Sequence, residues 1–425
     1  MRGSMKLALA AACLAAAGCQ RQPVPVSLTH ASVLAKAGLE SYWQMQLELR
    51  EDEKVRSVFL LDENLYCLTS RNDLIAIDAA RGVRKWTRSI AEPGVTVYAP
   101  CHGDRVAMRE KPPGMPEILL RPAPESLKSF DLVVINTPDC ALAYERDSGK
   151  LLRKIDFHRR PDEFTANTPG ACDGEYYYVG ATNGRCYAYR LNEGIIAWIL
   201  RTNDVMTAAP RWRRVGETKR VFFASEDAEL YVAKAGDMLS TVWPPAGSRD
   251  WPAMAGPVVA DFHVDDRACF IPCVKRRVYA FSLSGGEPIW RFTCQGPLVD
   301  AIQVSENSVF QSAQGDKLYA ISPANGTMRW SMPHGRRVLA CMPASGVPMA
   351  YVLDAAGSLL VVDEILGKVR ASIPLTGCDR FADNTSAPAL YLGAADGRLY
   401  CLRQLGAGRL TADMLKGIQP KKPQP

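Results

Sequence analysis

What the chain lacks excludes most classes of protein before any feature it has is considered. Beyond residue 17 no apolar run approaches the about 20 residues that a helix needs to span a bilayer, so the body carries no transmembrane-helix candidate. Histidine is scarce. His30, His102, His158, His263 and His334 stand far apart, and none belongs to a two-histidine zinc pattern with a helical Glu. There is no P-loop and no Gly-x-Ser-x-Gly elbow, and Gly406-Ala407-Gly408 is too short for a dinucleotide fingerprint. The acidic pairs Asp62-Glu63 and Asp265-Asp266 fall at the ends of strand-like runs, where carboxylates serve turns. No two cysteines are adjacent, and no concentrated basic face argues for nucleic acid. The expectation is a chain with no catalytic residue, no metal site and no cofactor, although a ring-shaped fold can still gather distant residues.

The first residues are of a different kind. Arg2 and Lys6 precede an Ala/Leu-rich run from Leu7 to Ala17, and Ala17-Gly18 stands directly before Cys19. That is the pattern of a secretory signal ending at a lipobox, with Cys19 as the lipid-attachment residue. Ala16 departs from the usual pattern, since Leu is commonest there, and Met5 is an equally good start. Residues 1–18 are therefore expected to be a signal peptide, with 19–38 a lipidated tether. The protein would be lipid-anchored in the cell envelope, at the outer membrane and facing the periplasm. An ordinary cleaved signal with Cys19 incidental is the alternative.

The remaining 407 residues (425 minus 18) are weakly basic, since removing Arg2 and Lys6 takes the formal charge from +6 to about +4. The cations cluster at Arg213-Arg214, Lys275-Arg276-Arg277 and Arg336-Arg337, read as turns between strands. Solvated loops are the bland account of them, and a surface for an acidic partner is the functional one. Of thirteen cysteines, eleven remain once Cys13 and Cys19 are set aside, most of them inside apolar runs. Cys186 and Cys401 occupy positions where related segments carry Leu, Val or Ala, so they read as core residues. Cys269 and Cys273 share a strand face roughly 13 Å apart, too far for a disulfide. The odd count leaves at least one free thiol.

Self-similarity organises the rest. One unit recurs: an apolar strand, a short turn, a strand of the form apolar-Tyr-Ala-apolar, then Gly, then Trp four residues later. Its clearest copies are Leu318-Tyr319-Ala320-Ile321 with Gly326 and Trp330, and Val278-Tyr279-Ala280-Phe281 with Gly286 and Trp290. Cys186-Tyr187-Ala188-Tyr189 with Gly194 and Trp198, and Leu74-Ile75-Ala76-Ile77 with Gly82 and Trp86, keep the offsets. Degenerate copies put Gly149 before Arg153 and Gly367 before Ala371, and looser ones lie at 230–236 and 399–402. Successive glycines at 82, 149, 194, 236, 286, 326 and 367 are 67, 45, 42, 50, 40 and 41 residues apart. A period of this size with several strands per unit predicts an all-β fold: a single eight-bladed propeller of four-stranded antiparallel blades.

The long first interval has a visible cause. Residues 110–127 carry five prolines, which cannot pair as inner strands, and they read as an insertion in the second blade. Leu119, Leu120 and Arg121 within it are the candidate partner contact. Small third-slot residues (Ala76, Ala143, Ala188, Ala280, Ala320) let neighbouring sheets approach, the glycines serve turns with positive φ, and the tryptophans cover the gaps between blades. The last copy has no Trp strand after it, while the segment around Trp43 is such a strand with no unit before it. Pairing the two would close the ring and remove a free edge. The propeller is thus expected over residues 39–410, with 411–425 a flexible tail.

The repeat resembles that of the pyrroloquinoline-quinone-like (PQQ-like) propellers, over about residues 41 to 403. The resemblance implies one of two branches. Quinoprotein dehydrogenases bind quinone and calcium in the central funnel and carry adjacent cysteines; the other branch includes a cofactor-free lipoprotein of the outer-membrane β-barrel assembly machinery. The lipid site, the shorter length and the absence of an adjacent cysteine pair resemble the second. It implies a non-catalytic scaffold that binds protein partners in the envelope, a β-barrel assembly component among them, with the membrane met through the anchor and no nucleic acid. A sensor or carbohydrate-binding propeller is the alternative, and a quinone-dependent dehydrogenase the third reading.

Overall fold

Strands with a two-residue period and apolar side chains on both faces can be buried only by stacking sheet against sheet. The computed structural model describes residues 27–109, 127–158, 163–243, 254–315, 317–344 and 346–416. Its strands form eight four-stranded antiparallel sheets arranged as the blades of a propeller. Blades 1 to 7 span 55–89, 101–156, 171–201, 211–243, 263–293, 303–333 and 335–374. Within each, the strands run in chain order from the inner strand at the axis to the outer strand at the rim. Blade 8 takes three strands from 380–404 and its outer strand, Leu39–Gln46, from the other end of the chain. That closure is antiparallel, with Trp43 opposite Cys401 and Met45 opposite Leu399. Only two short helices are present among the described residues, α1 (Ala31–Lys36) and α2 (Ala412–Leu415). No helix there is long and apolar enough to cross a membrane.

The alternation along each third strand divides its side chains between two inter-blade cores. Tyr319 and Ile321 pack towards blade 5 with Phe270 and Trp290, while Leu318 and Ala320 pack towards blade 7 with Val338 and Val352. All five third-slot alanines are buried, and so are Cys186 and Cys401. Each repeat tryptophan then locks onto the next blade. The indole N–H of Trp43 donates to the Ala79 carbonyl, Trp86 to Arg146, Trp198 to Gly236, Trp290 to Pro323 and Trp330 to Glu364, all at 2.8–2.9 Å. For all but Trp198, the ring face lies against the glycine of that same turn. A Cβ on Gly367 would sit 2.5 Å from Trp330, and one on Gly326 2.7 Å from Trp290. With φ of +69° and +70° these positions need glycine twice over, for the backbone and for the indole.

Of the three remaining junctions, blade 4 carries Trp243 on its outer strand, while two have no tryptophan and each has a substitute. At the Trp slot of blade 2, Arg153 lays its stem against Gly194 and donates to the Asn192 carbonyl at 2.5 Å. At the slot of blade 7, Ala371 leaves room that α1 fills, since Leu28, Leu34 and Ala37 are buried in the core between blades 7 and 8 beside it. The last part of the segment read as a tether is therefore docked, because its leucines cover a gap. The tail reading changes similarly at its start, where Leu410 and Leu415 of the α2 region are buried beside blades 8 and 1. Residues 1–26 and 417–425, with Cys19 among them, lie outside the described residues.

Candidate functional site

The propeller has two unlike faces. One, here the upper face, carries the connections between blades and the turns from second to third strands; the lower face carries the inner-to-second and third-to-outer turns. At the axis, the inner strands are stitched together by long polar side chains. Arg56 reaches the Val97 carbonyl, Arg211 the Phe262 carbonyl, Arg337 the Phe381 carbonyl and Arg380 the Val55 carbonyl, at 3.0–3.4 Å. Gln303 bonds both the N–H and the carbonyl of Val338. Apart from Arg337, which the sequence shows only as part of a cation cluster, none of these groups is marked in the sequence, because no linear motif identifies a side chain that bonds the backbone of the next repeat.

A buried polar chain joins blades 1 and 2. Asp62 Oδ2 accepts from His102 Nδ1 at 2.7 Å, and His102 Nε2 meets the Tyr66 hydroxyl at 2.9 Å. Arg146 pairs with Glu63 at 3.3 Å and with Asp104. Burial holds the His102 pKa below its ordinary value, although Asp62 partly opposes this. Tyr66 and His102 are shut away from solvent, so the arrangement bridges blades and offers no surface to a substrate. The Asp62-Glu63 pair is a turn, as read from the sequence, but one that also anchors the neighbouring blade. The eleven body cysteines are free thiols. Burial pushes Cys67 and Cys401 up to about 12, which leaves them protonated and unreactive at neutral pH. Among the described residues no group of His, Cys, Asp and Glu is placed to hold a metal ion.

The upper face of blades 5 to 8 is where the sequence's cation clusters meet space. One cavity of about 540 Å³ is lined by Ala255, Val274, Lys275, Arg276, Arg277, Thr293 and Pro297. No acid lines it. A second, of about 580 Å³, is bounded by Asp300, Gln314, His334, Arg336 and Arg337 and reaches inward to Asp383. Arg337 is committed to Asp383 at 2.7 Å, and burial raises the Asp383 pKa against the pull of that arginine. Lys275, Arg276, Arg277 and Arg336 have no ion-pair partner among the described residues. Beside this arc, the blade 4 turn presents Glu226, Asp227 and Glu229, so the face changes sign within one blade.

The structure thus brings together two of the three cation clusters. Arg213 and Arg214 stand apart: they lie within an inner strand, not a turn, and Arg213 is held by Asp266 at 2.7 Å. Arg336 and Arg337 likewise belong to a strand, Gly335–Ala344, whose first residues line the cavity. A tryptophan was also missed. Trp243 stands opposite Val232 as Trp198 stands opposite Ala188, but its turn is three residues longer, which hid it from a fixed Gly-to-Trp spacing. Leu119, Leu120 and Arg121 lie outside the described residues.

The chain folds as an eight-bladed propeller, and its repeat is PQQ-like. Residues 233–420, which include the whole basic arc, match the family model described as outer membrane protein assembly factor BamB. Two solved structures are similar over most of their length. The crystal structure of BamB from Moraxella catarrhalis has a TM-score of 0.57 at 13% identity, covering 86% of this chain and 99% of that one. The computationally designed Ika8 protein has a TM-score of 0.55 at 12% identity, covering 84% and 98%. At such identities these likenesses establish the fold. No curated protein matches the sequence. The residues here do not fit the quinone-and-calcium site of the dehydrogenase branch, since there is no adjacent cysteine pair and, among the described residues, no metal-holding cluster.

Proposed function

We propose that this chain is a non-catalytic scaffold, exported and lipid-anchored at Cys19, that binds a protein partner in outer-membrane β-barrel assembly. The observation that carries the reading is the family-model match over residues 233–420, because the matched segment contains the basic arc of blades 5 to 7. Unpaired cations around preformed cavities on a rigid ring suit recognition of an acidic protein surface: the ring fixes the charges in place, and pairing them gains electrostatic energy without reorganising the scaffold. The signal-like first 18 residues and the Ala17-Gly18-Cys19 sequence support export and lipidation.

The test is affinity capture of the full chain from its native envelope in mild detergent, comparing the parent with a K275E/R276E/R336E variant. Enrichment of a β-barrel assembly component by the parent, lost in the variant, is the expected result. Failure of the parent to enrich such a component, or a quinone chromophore in the eluate, would overturn the reading.

A further inference from the structure

We propose that the lower rim of the propeller is a membrane-apposed surface, with apolar side chains entering the headgroup layer of a lipid bilayer and neighbouring cations meeting lipid phosphates. The first observation is an asymmetry within single strands. Val83, Leu151, Ile195, Ile289, Met328 and Val369 all lie at the start of outer strands, next to the third-to-outer turn, and each is between 45% and 58% exposed. The far ends of those strands, at the upper face, carry Ser89, Asp156, Arg201, Thr293, Pro333 and Pro374. A single exposed apolar residue needs no explanation, but one at the same height in six of the eight blades, with no large exposed apolar side chain at the other end of those strands, does. The same turns add Met238 at 81% and Leu366 at 70% exposed. Large exposed apolar residues near the upper face are confined, among the described residues, to Trp212 and Val299.

Three further features decide the occupant. The apolar positions run round the ring instead of forming one sector, which suits a plane better than a protein knob. Cations are interleaved with them: Arg329 follows Met328 and Lys368 precedes Val369, while Arg84 beside Val83 and Arg370 beside Val369 also pair with Glu48 and Asp363. Long basic side chains whose stems lie on apolar surface while their heads reach phosphate are the usual interfacial pattern. Finally, the chain enters the ring at Leu39 and leaves it at Gln404, residues paired with each other at the lower face. A lipid on Cys19, nine residues before docked Leu28, would keep the ring close to a bilayer, and the proposal rests on that lipid-anchored reading.

The experiment uses the full chain in vesicles of phosphatidylethanolamine and phosphatidylglycerol that contain nitroxide-labelled lipid. A thiol dye is placed through M328C or V369C on the rim, or V299C on the upper face, with the labelled parent as background. Several-fold stronger quenching at 328 and 369 than at 299 is expected. Equal quenching at all three sites would sink the proposal, as would a doubled mass in detergent with the rim dyes shielded there, which reads as face-to-face pairing. Mass spectrometry reports lipidation of Cys19 separately. If Cys19 proves unlipidated, chain added from solution should still show the rim-selective quenching on these vesicles and lose it on purely zwitterionic ones; its absence there overturns the rim by itself.

Discussion

His102 shows how a single side chain links pH to the ring. Its imidazole is neutral in the fold because burial outweighs Asp62, so its folded pKa lies below the ordinary 6.5. The fold then keeps this contribution in full above about 6.5 and loses it as pH falls towards the lowered folded value, since the unfolded chain takes up the proton first. Half-buried His263, pushed down to about 4, acts in the same sense. Thermal unfolding followed from pH 7.5 to 5 should show a falling midpoint, and the fall should be shallower in a His102→Gln variant; an unchanged slope would assign the effect elsewhere. Gly367 is the other informative residue. Adding a methyl there strains a backbone at φ +69° and collides with Trp330. Gly367→Ala should lose more than about 2 kcal/mol of stability. Trp330→Ala alone should cost about 3–5 kcal/mol. In the double variant the two losses should fall short of additive, because the collision disappears with the indole; urea unfolding of the four proteins measures this.

At the scale of the element, α1 takes the place of a missing tryptophan. Leu34 is buried where Ala371 leaves the junction of blades 7 and 8 open, so Leu34→Ala should destabilise the ring by about 2–4 kcal/mol although it precedes the first strand. Denaturant unfolding of that variant beside Lys36→Ala, on the same helix, checks it; equal small effects would mean that α1 is not part of the seal. The repeat strands were legible in sequence because three restraints coincide there: a two-residue period, a glycine that must take positive φ, and an indole at a fixed offset. Trp243 escaped when one of them shifted, through a longer turn. The docking of α1 could not be read at all, since Leu28 and Leu34 become apolar plugs only once Ala371, more than three hundred residues away, has left the gap.

Across the whole molecule, the charge arc is the part of the candidate site that the sequence half revealed. Lys275-Arg276-Arg277 and Arg336-Arg337 were visible as clusters, but their meeting on one face follows from the 40-residue period, which puts equivalent turns of successive blades side by side. Because these side chains are solvent-facing and unpaired among the described residues, K275E/R276E/R336E should leave the unfolding midpoint within about 0.5 kcal/mol of the parent, even where it abolishes partner capture. A large loss of stability would instead make the arc structural. Closure of blade 8 also has a consequence in time. The strand Leu39–Gln46 is made first and its partner, Arg398–Gln404, nearly last. At ribosomal rates of about 5–20 residues per second, the early strand waits roughly 20–70 s with its hydrogen-bonding edge open. During that interval it is the segment of the nascent chain most in need of shielding from a wrong partner.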